Sequence, residues 1–231
     1  MANRRKRIWI TRTEPAASGT AVQVRERGHD PWVMPLLEVR PQVTEPLDLS
    51  GVGALAFTSN NGVRAFCDLS SERQIRVFAV GAATAKAAWA AGFRRVLSSD
   101  RDVSVLAQGI VERRREITGV VLHPGALEPA GDLVAALESQ GMAARGVAIY
   151  DTCPTVLTDD QIAEMAEMDV ALVHSAKAAE VLANLLRQHP LPHLGVAGLS
   201  RETLKPLARS TLAWKTAAAK PLEATLLDLI D

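Results

Sequence analysis

The stretch IWITRTEPAASGTAVQVRERG (residues 8–28) and the stretch VVLHPGALEPAGDLVAALESQG (residues 120–141) share one pattern. Each has an apolar run, a polar turn, a Glu and then a helical segment that ends at Gly. A second pair, LAFTSNNGVRAF (residues 55–66) and ALVHSAKAAEVL (residues 171–182), repeats in the same way. Because the members of each pair lie about one domain length apart, they predict two similar α/β lobes that clamp one large ligand between them.

Outside these stretches, short apolar runs continue to alternate with helical patterns such as Val103, Leu106 and Ile110. The alternation is typical of parallel sheets with helices on both faces. It predicts strands at residues 8–11, 31–39, 54–59, 76–81, 95–98, 119–123, 145–150, 169–174, 194–198 and 211–215. We therefore predict an α/β fold of two similar lobes, each a five-stranded parallel sheet flanked by helices in flavodoxin-like order, joined by a two-stranded linker.

Two extended segments marked by proline, residues 35–46 and 149–154, indicate how the lobes divide. Each follows a helical pattern that ends in Gly, so each belongs to the second strand of its repeat. If the chain leaves the first lobe after that strand, the C-terminal part must complete the lobe. We predict a discontinuous lobe one of residues 1–38 plus 155–231, an inserted lobe two of residues 45–149, and linker segments at residues 39–44 and 150–154. A plain division near residue 115 is the alternative, ranked lower because it leaves the repeats at different positions in the two halves.

The composition excludes several classes of protein. The 231 residues carry 26 basic and 26 acidic side chains, which argues against a nucleic-acid binder driven by bulk phosphate attraction. No apolar run reaches the roughly 20 residues that span a membrane, and the run at residues 8–10 is too short for a signal peptide. Cys67 and Cys153 form no metal-type pair. We expect a soluble cytoplasmic protein.

Polar turns follow several of the predicted strands, where ligands bind in open parallel sheets. Helix N termini there present unpaired N–H donors, and a row of N–H and O–H donors suits a ligand with many carboxylates. For any single turn, helix capping alone is a sufficient explanation, so the interpretation depends on several turns facing one cleft. The candidate residues in these turns are Arg12, Thr58, Ser59, Asn60, Asn61, Gly62, Gly81, Thr84, Ser175 and Gly198.

Common cofactor and catalytic fingerprints are absent from the sequence: it has no GxGxxG turn, no phosphate loop, no HExxH and no G-x-S-x-G elbow. The five histidines show no ligand spacing, so we expect neither a cofactor nor a metal. Tyr150 is the only tyrosine and ends a predicted strand. Its phenol is a candidate proton donor to a leaving group, or an amphipathic side chain that packs at a strand end. Arg12 is a candidate partner for a ligand carboxylate, or one half of a surface salt bridge.

At these residues the chain resembles the uroporphyrinogen-III synthase family. The matching elements are Thr11-Arg12, FTSNNGV (residues 57–63), Val80-Gly81 with Thr84-Ala85, AIYDT (residues 148–152) and His174-Ser175-Ala176. Their order and spacing agree over essentially the whole chain. The departures are Thr13 where the family often has Pro, and Arg201 and Leu222 where Thr is common. Arg201 offers a cation in compensation, which is a hypothesis.

The resemblance implies a reaction: hydroxymethylbilane, a linear tetrapyrrole with eight carboxylates, closes to uroporphyrinogen III with inversion of ring D and loss of water. It implies that Thr58, Ser59, Asn60, Gly62, Thr84, Ser175 and Gly198 hold the acetate and propionate arms, and Arg12, Asn61 and Gly81 complete the predicted set. Tyr150 would assist loss of the hydroxyl as water, giving an azafulvene and then a spiro intermediate. The open bilane closes unaided to the type I isomer, so the enzyme would act mainly by orientation.

Two other functions stay open on the residues alone. The first is a non-catalytic two-lobed binder of a small polycarboxylate, and the second is a glycosyl or phosphoryl transferase, which should show a Gly-rich nucleotide turn or acidic metal ligands. With the synthase we expect a small tetrapyrrole substrate and no nucleic-acid or membrane partner. We also expect a monomer that contacts the enzyme supplying hydroxymethylbilane only transiently.

Overall fold

The structure is a computed structural model, and it describes residues 4–99, 102–129 and 131–231. The chain divides into two compact units. Unit 1 contains the residues up to Glu38 and those from Cys153 onward, and unit 2 contains Val39–Thr152. The chain therefore crosses from one unit to the other twice.

Strands and helices alternate along most of the chain, as the apolar pattern predicts. The strands are β1 (Arg7–Ile10), β2 (Asp30–Val33), β3 (Leu37–Pro41), β4 (Val52–Phe57), β5 (Arg76–Val80), β6 (Val96–Ser99), β7 (Val120–Ala126), β8 (Ala144–Pro154), β9 (Val170–Val173), β10 (Gly195–Gly198) and β11 (Trp214–Ala217). The helices are α1 (Ala16–Glu26), α2 (Asn60–Leu69), α3 (Gly81–Ala90), α4 (Val103–Glu112), α5 (Leu133–Glu138), α6 (Asp159–Met165), α7 (Ala176–Gln188), α8 (Arg201–Leu204) and α9 (Glu223–Leu227), with 3-10 turns at Arg114–Glu116 and Lys205–Leu207.

Each sheet is built from one copy of the repeat. Over the described residues, one sheet has the order β2-β1-β9-β10-β11 and the other the order β3-β8-β7-β4-β5-β6. In the first sheet, β1 opens the 8–28 stretch and lies next to β2, the second strand of its repeat. In the other sheet, β7 opens the 120–141 stretch and lies next to β8. These pairs, and the pairs that join the remaining strands from β4 to β11, are parallel. Apart from β3, both sheets therefore have the 2-1-3-4-5 order of flavodoxin-like folds. The predicted α/β fold with parallel sheets is confirmed.

The prediction of five strands in each sheet is wrong for the second sheet, which has six. The predicted strand at 31–39 is in fact two strands, β2 in one sheet and β3 in the other. Met34 N and Leu36 N still donate to the carbonyls of Ile10 and Thr11, at 3.2 and 3.0 Å. Pro35, which lies between them, has no N–H, and it is tolerated here because β2 is the end strand of its sheet and only alternate residues donate to β1. The chain then leaves the first sheet, and β3 lies beside β8.

Both faces of each sheet are covered. Ile8 and Ile10 pack on one side of β1 with the C-terminal helix, whereas Trp9 between them packs on the other side with α7. All three side chains have no exposed surface. Unit 2 repeats this arrangement in β4. Leu55 packs in the apolar core on one side of the sheet, and Ala54 and Ala56 pack in the core on the other side. Burial on two faces explains why the strands are continuous apolar runs rather than alternating ones. Among the described residues, no helix has the length and apolar character needed to cross a membrane.

A buried side-chain hydrogen bond recurs at the same place in both repeats. Thr11 Oγ1 donates to the Leu172 carbonyl at 2.7 Å in unit 1. In unit 2, His123 Nδ1 lies 2.8 Å from the Ala56 carbonyl, which can only accept, so the ring nitrogen donates. Aligning the quoted stretches pairs Thr11 with His123 and Leu172 with Ala56. The contact joins the first and third strands of each repeat, and it supports the duplication although the residue types differ.

Candidate functional site

The first group of candidate residues lies where α2 follows β4 in unit 2. Ser59 is extended, with φ −154° and ψ 157°, and its Oγ accepts a hydrogen bond from Gly62 N at 3.0 Å. This is an N-cap, which satisfies one of the unpaired N–H groups of the helix. Thr58, Asn60 and Asn61 are half-buried around the same turn. The N terminus of a helix also favours an anion, because its main-chain N–H groups point outward from the first turn.

Tyr150, on β8, reaches the same turn from the other side. Its hydroxyl lies 2.7 Å from Ser59 Oγ, and its side chain is only 4% exposed. Burial raises the pKa of Tyr150, and the hydrogen bond with Ser59 only partly opposes this. The phenol is therefore neutral at neutral pH and is available as a proton donor rather than as a phenolate.

A concavity of about 160 Å³ opens beside Tyr150. It is lined by Val39, Pro41, Val43, Asn61, Arg64, Ala65, Asp68, Leu69, Ile149 and Tyr150. Pockets that enclose a whole ligand usually measure about 300–1,000 Å³, so this one fits a substituent of a large ligand rather than the entire molecule.

Glycine is favoured at two candidate positions of unit 2 for different reasons. A Cβ on Gly62 would lie 3.1 Å from the Pro124 carbonyl oxygen, so the α2 turn packs closely against β7. Gly81 has φ +75°, a left-handed conformation that side chains rarely adopt. It starts α3, where Thr84 is buried one turn later. These residues shape the turns that follow β4 and β5.

Unit 1 has the same cap at the matching place in its repeat. Ser175 is extended, with φ −146° and ψ 153°, and its Oγ accepts from Ala178 N at 3.2 Å at the start of α7. Gly198 ends the neighbouring strand β10, and a Cβ there would lie 2.4 Å from Leu204 Cγ. Arg201, the departure from the family pattern, is exposed at the first residue of α8. Ser175 and Gly198 thus lie at the carboxyl ends of the adjacent strands β9 and β10, at one edge of the sheet.

Arg12 lies at this edge too, and it is ion-paired within the chain. Its Nη1 donates to Glu223 Oε2 at 2.9 Å. The other Glu223 oxygen accepts from the Thr20 hydroxyl, and His174 Nε2 lies 3.1 Å from Oε2. Sequence reasoning missed Thr20 and Glu223. The only signal was that an acidic residue in the first turn of a helix is favourable, and this does not indicate a partner.

The protonation states of this network follow from its contacts. Burial raises the pKa of Glu223. The hydrogen bond from His174, the charge of that ring once it is protonated in acid, the hydrogen bond from Thr20 and the charge of Arg12 outweigh burial and bring the pKa to about 2. Burial lowers the pKa of His174, and the hydrogen bond to Glu223 opposes that only in part. Glu223 is therefore ionised and His174 neutral at neutral pH. Since a carboxylate only accepts, His174 carries its proton on Nε2. Its buried Nδ1 has no hydrogen-bond partner among the described atoms.

The predicted site residues thus fall into two groups, one in each unit. Unit 2 brings together Thr58, Ser59, Asn60, Asn61, Gly62 and Tyr150 around the start of α2, with Gly81 and Thr84 at the start of α3. Unit 1 brings together Arg12, Ser175 and Gly198. In the described part of the chain, no group of three or more His, Cys, Asp or Glu side chains is placed to hold a metal ion.

Comparison with known proteins gives a family match and structural matches. The family model described as "Uroporphyrinogen-III synthase HemD" matches residues 18–228. Uroporphyrinogen-III synthetase from Helicobacter pylori 26695 superposes with a TM-score of 0.70 at 18% identity, covering 98% of each chain. A mutant uroporphyrinogen III synthase from the extremely thermophilic bacterium Thermus thermophilus gives 0.54 at 16% identity, covering 97% of each chain. At such identities the superpositions show a shared fold. No curated protein gives a significant sequence match.

Proposed function

The chain belongs to the uroporphyrinogen-III synthase family, and we propose that it closes hydroxymethylbilane to uroporphyrinogen III with inversion of ring D and loss of one water molecule. As a member of this family it is a cyclising lyase of tetrapyrrole biosynthesis. The observation that carries the proposed mechanism is the contact between the neutral, buried phenol of Tyr150 and Ser59 Oγ at 2.7 Å. It supports a proton donor held in place at a turn rich in hydrogen-bond donors.

The first chemical step would be loss of the substrate hydroxyl. The bond between the methylene carbon and its oxygen breaks, the electron pair leaves with the oxygen, and Tyr150 supplies the proton that makes water. This leaves the Tyr150 phenolate and an azafulvene that is still protonated on its ring nitrogen and is therefore a cation. The cation is electrophilic at the methylene, and the substituted carbon of ring D attacks it. In the spiro intermediate that forms, the bond between this carbon and the methylene of ring C then breaks. That methylene bonds to the unsubstituted α carbon of ring D, whose proton returns to the Tyr150 phenolate, and the macrocycle closes with ring D inverted. Ser59 fits a positioning role here, because its hydrogen bond fixes the direction of the phenol.

Binding would use donors from both units. Eight carboxylates need many hydrogen bonds, and each capped helix N terminus offers main-chain N–H groups together with a partial positive charge. We propose as substrate contacts the turn residues Arg12, Thr58, Ser59, Asn60, Asn61, Gly62, Gly81, Thr84, Ser175 and Gly198. The similar caps at Ser59 and Ser175 support this set, since both present the same groups. Such contacts act by holding one substrate conformation, which is catalysis by orientation.

We propose that the two units are the two lobes expected from the repeats, with residues 39–44 and 150–154 as the linker. The shared strand order of the two sheets and the two chain crossings support this assignment. The sixth strand, β3, belongs to the linker in this view, because it lies beside β8, whose end at residues 150–154 is the matching extended segment of the other repeat.

We also propose a cytoplasmic monomer that receives hydroxymethylbilane by transient contact with the enzyme that makes it. Both cysteines, Cys67 and Cys153, are free, as is usual for proteins in a reducing compartment. Because hydroxymethylbilane cyclises unaided to the type I isomer, direct transfer between the two enzymes would leave less time for that side reaction. Light scattering of the purified chain tests the monomer, and a mass near twice 24.8 kDa would contradict it.

The experiment that tests the function starts with freshly prepared hydroxymethylbilane. The products are oxidised, and the type I and type III isomers are separated by chromatography. The proposed function predicts type III in the presence of the chain and type I in its absence. A chain that binds the substrate and yields only type I would instead be the non-catalytic polycarboxylate binder.

A further inference from the structure

Glu223 connects the ends of two neighbouring strands in unit 1. Strands β1 and β9 pair in parallel with Ile10 opposite Leu172, and Arg12 and His174 each lie two residues beyond these partners. Glu223 Oε2 lies 2.9 Å from Arg12 Nη1 and 3.1 Å from His174 Nε2. One carboxylate therefore holds the two side chains that follow adjacent strands, although it comes from a helix near the C terminus.

Three donors of the chain reach this carboxylate. Besides Arg12 and His174, it accepts a hydrogen bond from the Thr20 hydroxyl on α1. The Glu223 side chain is 24% exposed and that of His174 is 9% exposed. Removing Glu223 would leave a half-buried guanidinium and a buried ring N–H without their acceptor, which is unfavourable. Both side chains would then move to find other partners.

His174 links the Glu223 carboxylate to the turn at Ser175, where α7 starts. A neutral imidazole has two tautomers, and the hydrogen bond at one nitrogen selects between them. Glu223 selects the Nε2–H form, so the ring orientation is fixed. His174 directly precedes Ser175, whose Oγ caps α7. The ring is therefore an anchor for the backbone that leads into this cap.

We infer that Glu223 is a positioning residue for substrate binding, which fixes Arg12 and, through His174, the Ser175 turn so that both can meet a substrate carboxylate. The inference rests on the proposed function, because it takes Arg12 and Ser175 as substrate contacts. Glu223 does not contact the substrate in this arrangement, since its negative charge repels a substrate carboxylate and three donors of the chain already surround it. Its role is to hold the donors where a carboxylate can reach them.

The kinetic test compares Glu223→Leu and Glu223→Asp with the wild-type enzyme. Leu removes the acceptor, and Asp keeps the charge but is one methylene too short to reach both partners. We expect a KM for hydroxymethylbilane about 10-fold higher with Leu and a few-fold higher with Asp, with kcat within about twofold, because uniform binding is lost. Asp228→Asn is the matched control, since Asp228 follows α9 and makes an exposed pair with Arg27, away from Arg12 and His174 in the network. It should leave KM unchanged.

A second readout separates positioning from a general loss of stability. The ¹⁵N shifts of the His174 ring should report the Nε2–H tautomer in the wild-type chain and a mixture of tautomers in Glu223→Leu. The inference is overturned if the variants fold, have the wild-type KM and keep the Nε2–H tautomer. That result would leave the synthase activity itself unaffected. If Glu223→Leu does not fold, Glu223→Asp decides by the same two measurements. A wild-type chain that makes no type III isomer would refute the proposed function, and the tautomer comparison would still test the role of Glu223.

Discussion

Ser59 Oγ accepts a hydrogen bond from Gly62 N at 3.0 Å and lies 2.7 Å from the hydroxyl of Tyr150. One oxygen atom thus caps α2 and also orients the phenol on β8. The two residues are 91 positions apart in sequence. The same serine therefore contributes to the stability of the helix and to the geometry of the proposed proton donor, and the two contributions can be separated by mutation.

Replacing Tyr150 with Phe removes the proposed proton donor and keeps the packing of the ring. General acid catalysis contributes about 100-fold or more, so we expect kcat to fall about 100-fold. The measurement is the initial rate of hydroxymethylbilane consumption above the spontaneous rate. The isomer formed by the residual activity should still be type III, because orientation by the other contacts persists. An unchanged rate would show that the phenol donates no proton.

Replacing Ser59 with Ala should lower the thermal midpoint more than replacing Ser175 with Ala. Both changes remove an N-cap, which costs about 1 kcal/mol. Only Ser59→Ala also leaves the buried Tyr150 hydroxyl without this partner, which costs about 1–3 kcal/mol more. The additional decrease in thermal midpoint for Ser59→Ala should therefore disappear when both variants are compared in a Tyr150→Phe background. Equal midpoints for the two single variants would mean that the contact is not significant in solution.

The repeats predicted much of this arrangement, because the signals involved are local. A Ser that ends an apolar run and precedes a helical pattern predicts a cap, as at Ser59 and Ser175, and the apolar runs predict parallel strands. The contact between Arg12 and Glu223 spans 211 residues and has no local signal. The splitting of the segment at 31–39 was missed because both halves are equally apolar. Pro35 marks the break, but a proline alone does not show that the chain changes sheets.

Gly198 should not tolerate even a methyl group. A Cβ there would lie 2.4 Å from Leu204 Cγ, and crowding of this kind in a packed interior costs about 1–3 kcal/mol. We expect Gly198→Ala to lower the thermal midpoint, and Gly198→Ala with Leu204→Ala to lower it by less than the sum of the single changes. Additive effects would show that the contact with Leu204 is not the cause. In that case another constraint on the β10 turn would explain the glycine.

Glu223 should make the stability of the fold depend on pH in the acid range. Its pKa is lowered from 4.5 to about 2 in the folded chain, so its contribution is present above 4.5 and is lost as the pH falls towards 2. Each unit of pKa difference corresponds to about 1.4 kcal/mol. The buried, neutral His174 acts in the same direction below its ordinary pKa of 6.5, because its lowered pKa opposes protonation in the folded chain. Because Glu223 also raises the pKa of His174, the comparison is made in a His174→Asn background. There, chemical denaturation from pH 6 to pH 3 should show a shallower loss of stability with Glu223→Gln than with Glu223 present, and parallel curves would contradict this.

The fraction of type III isomer formed from fresh hydroxymethylbilane, measured against the concentration of the chain, tests the central claim most directly. Because the spontaneous reaction gives type I, the fraction should rise from near zero towards completion as the enzyme outcompetes it. Heat-denatured chain should leave the fraction at the spontaneous value. A fraction that stays at that value at every concentration of folded chain would contradict the account.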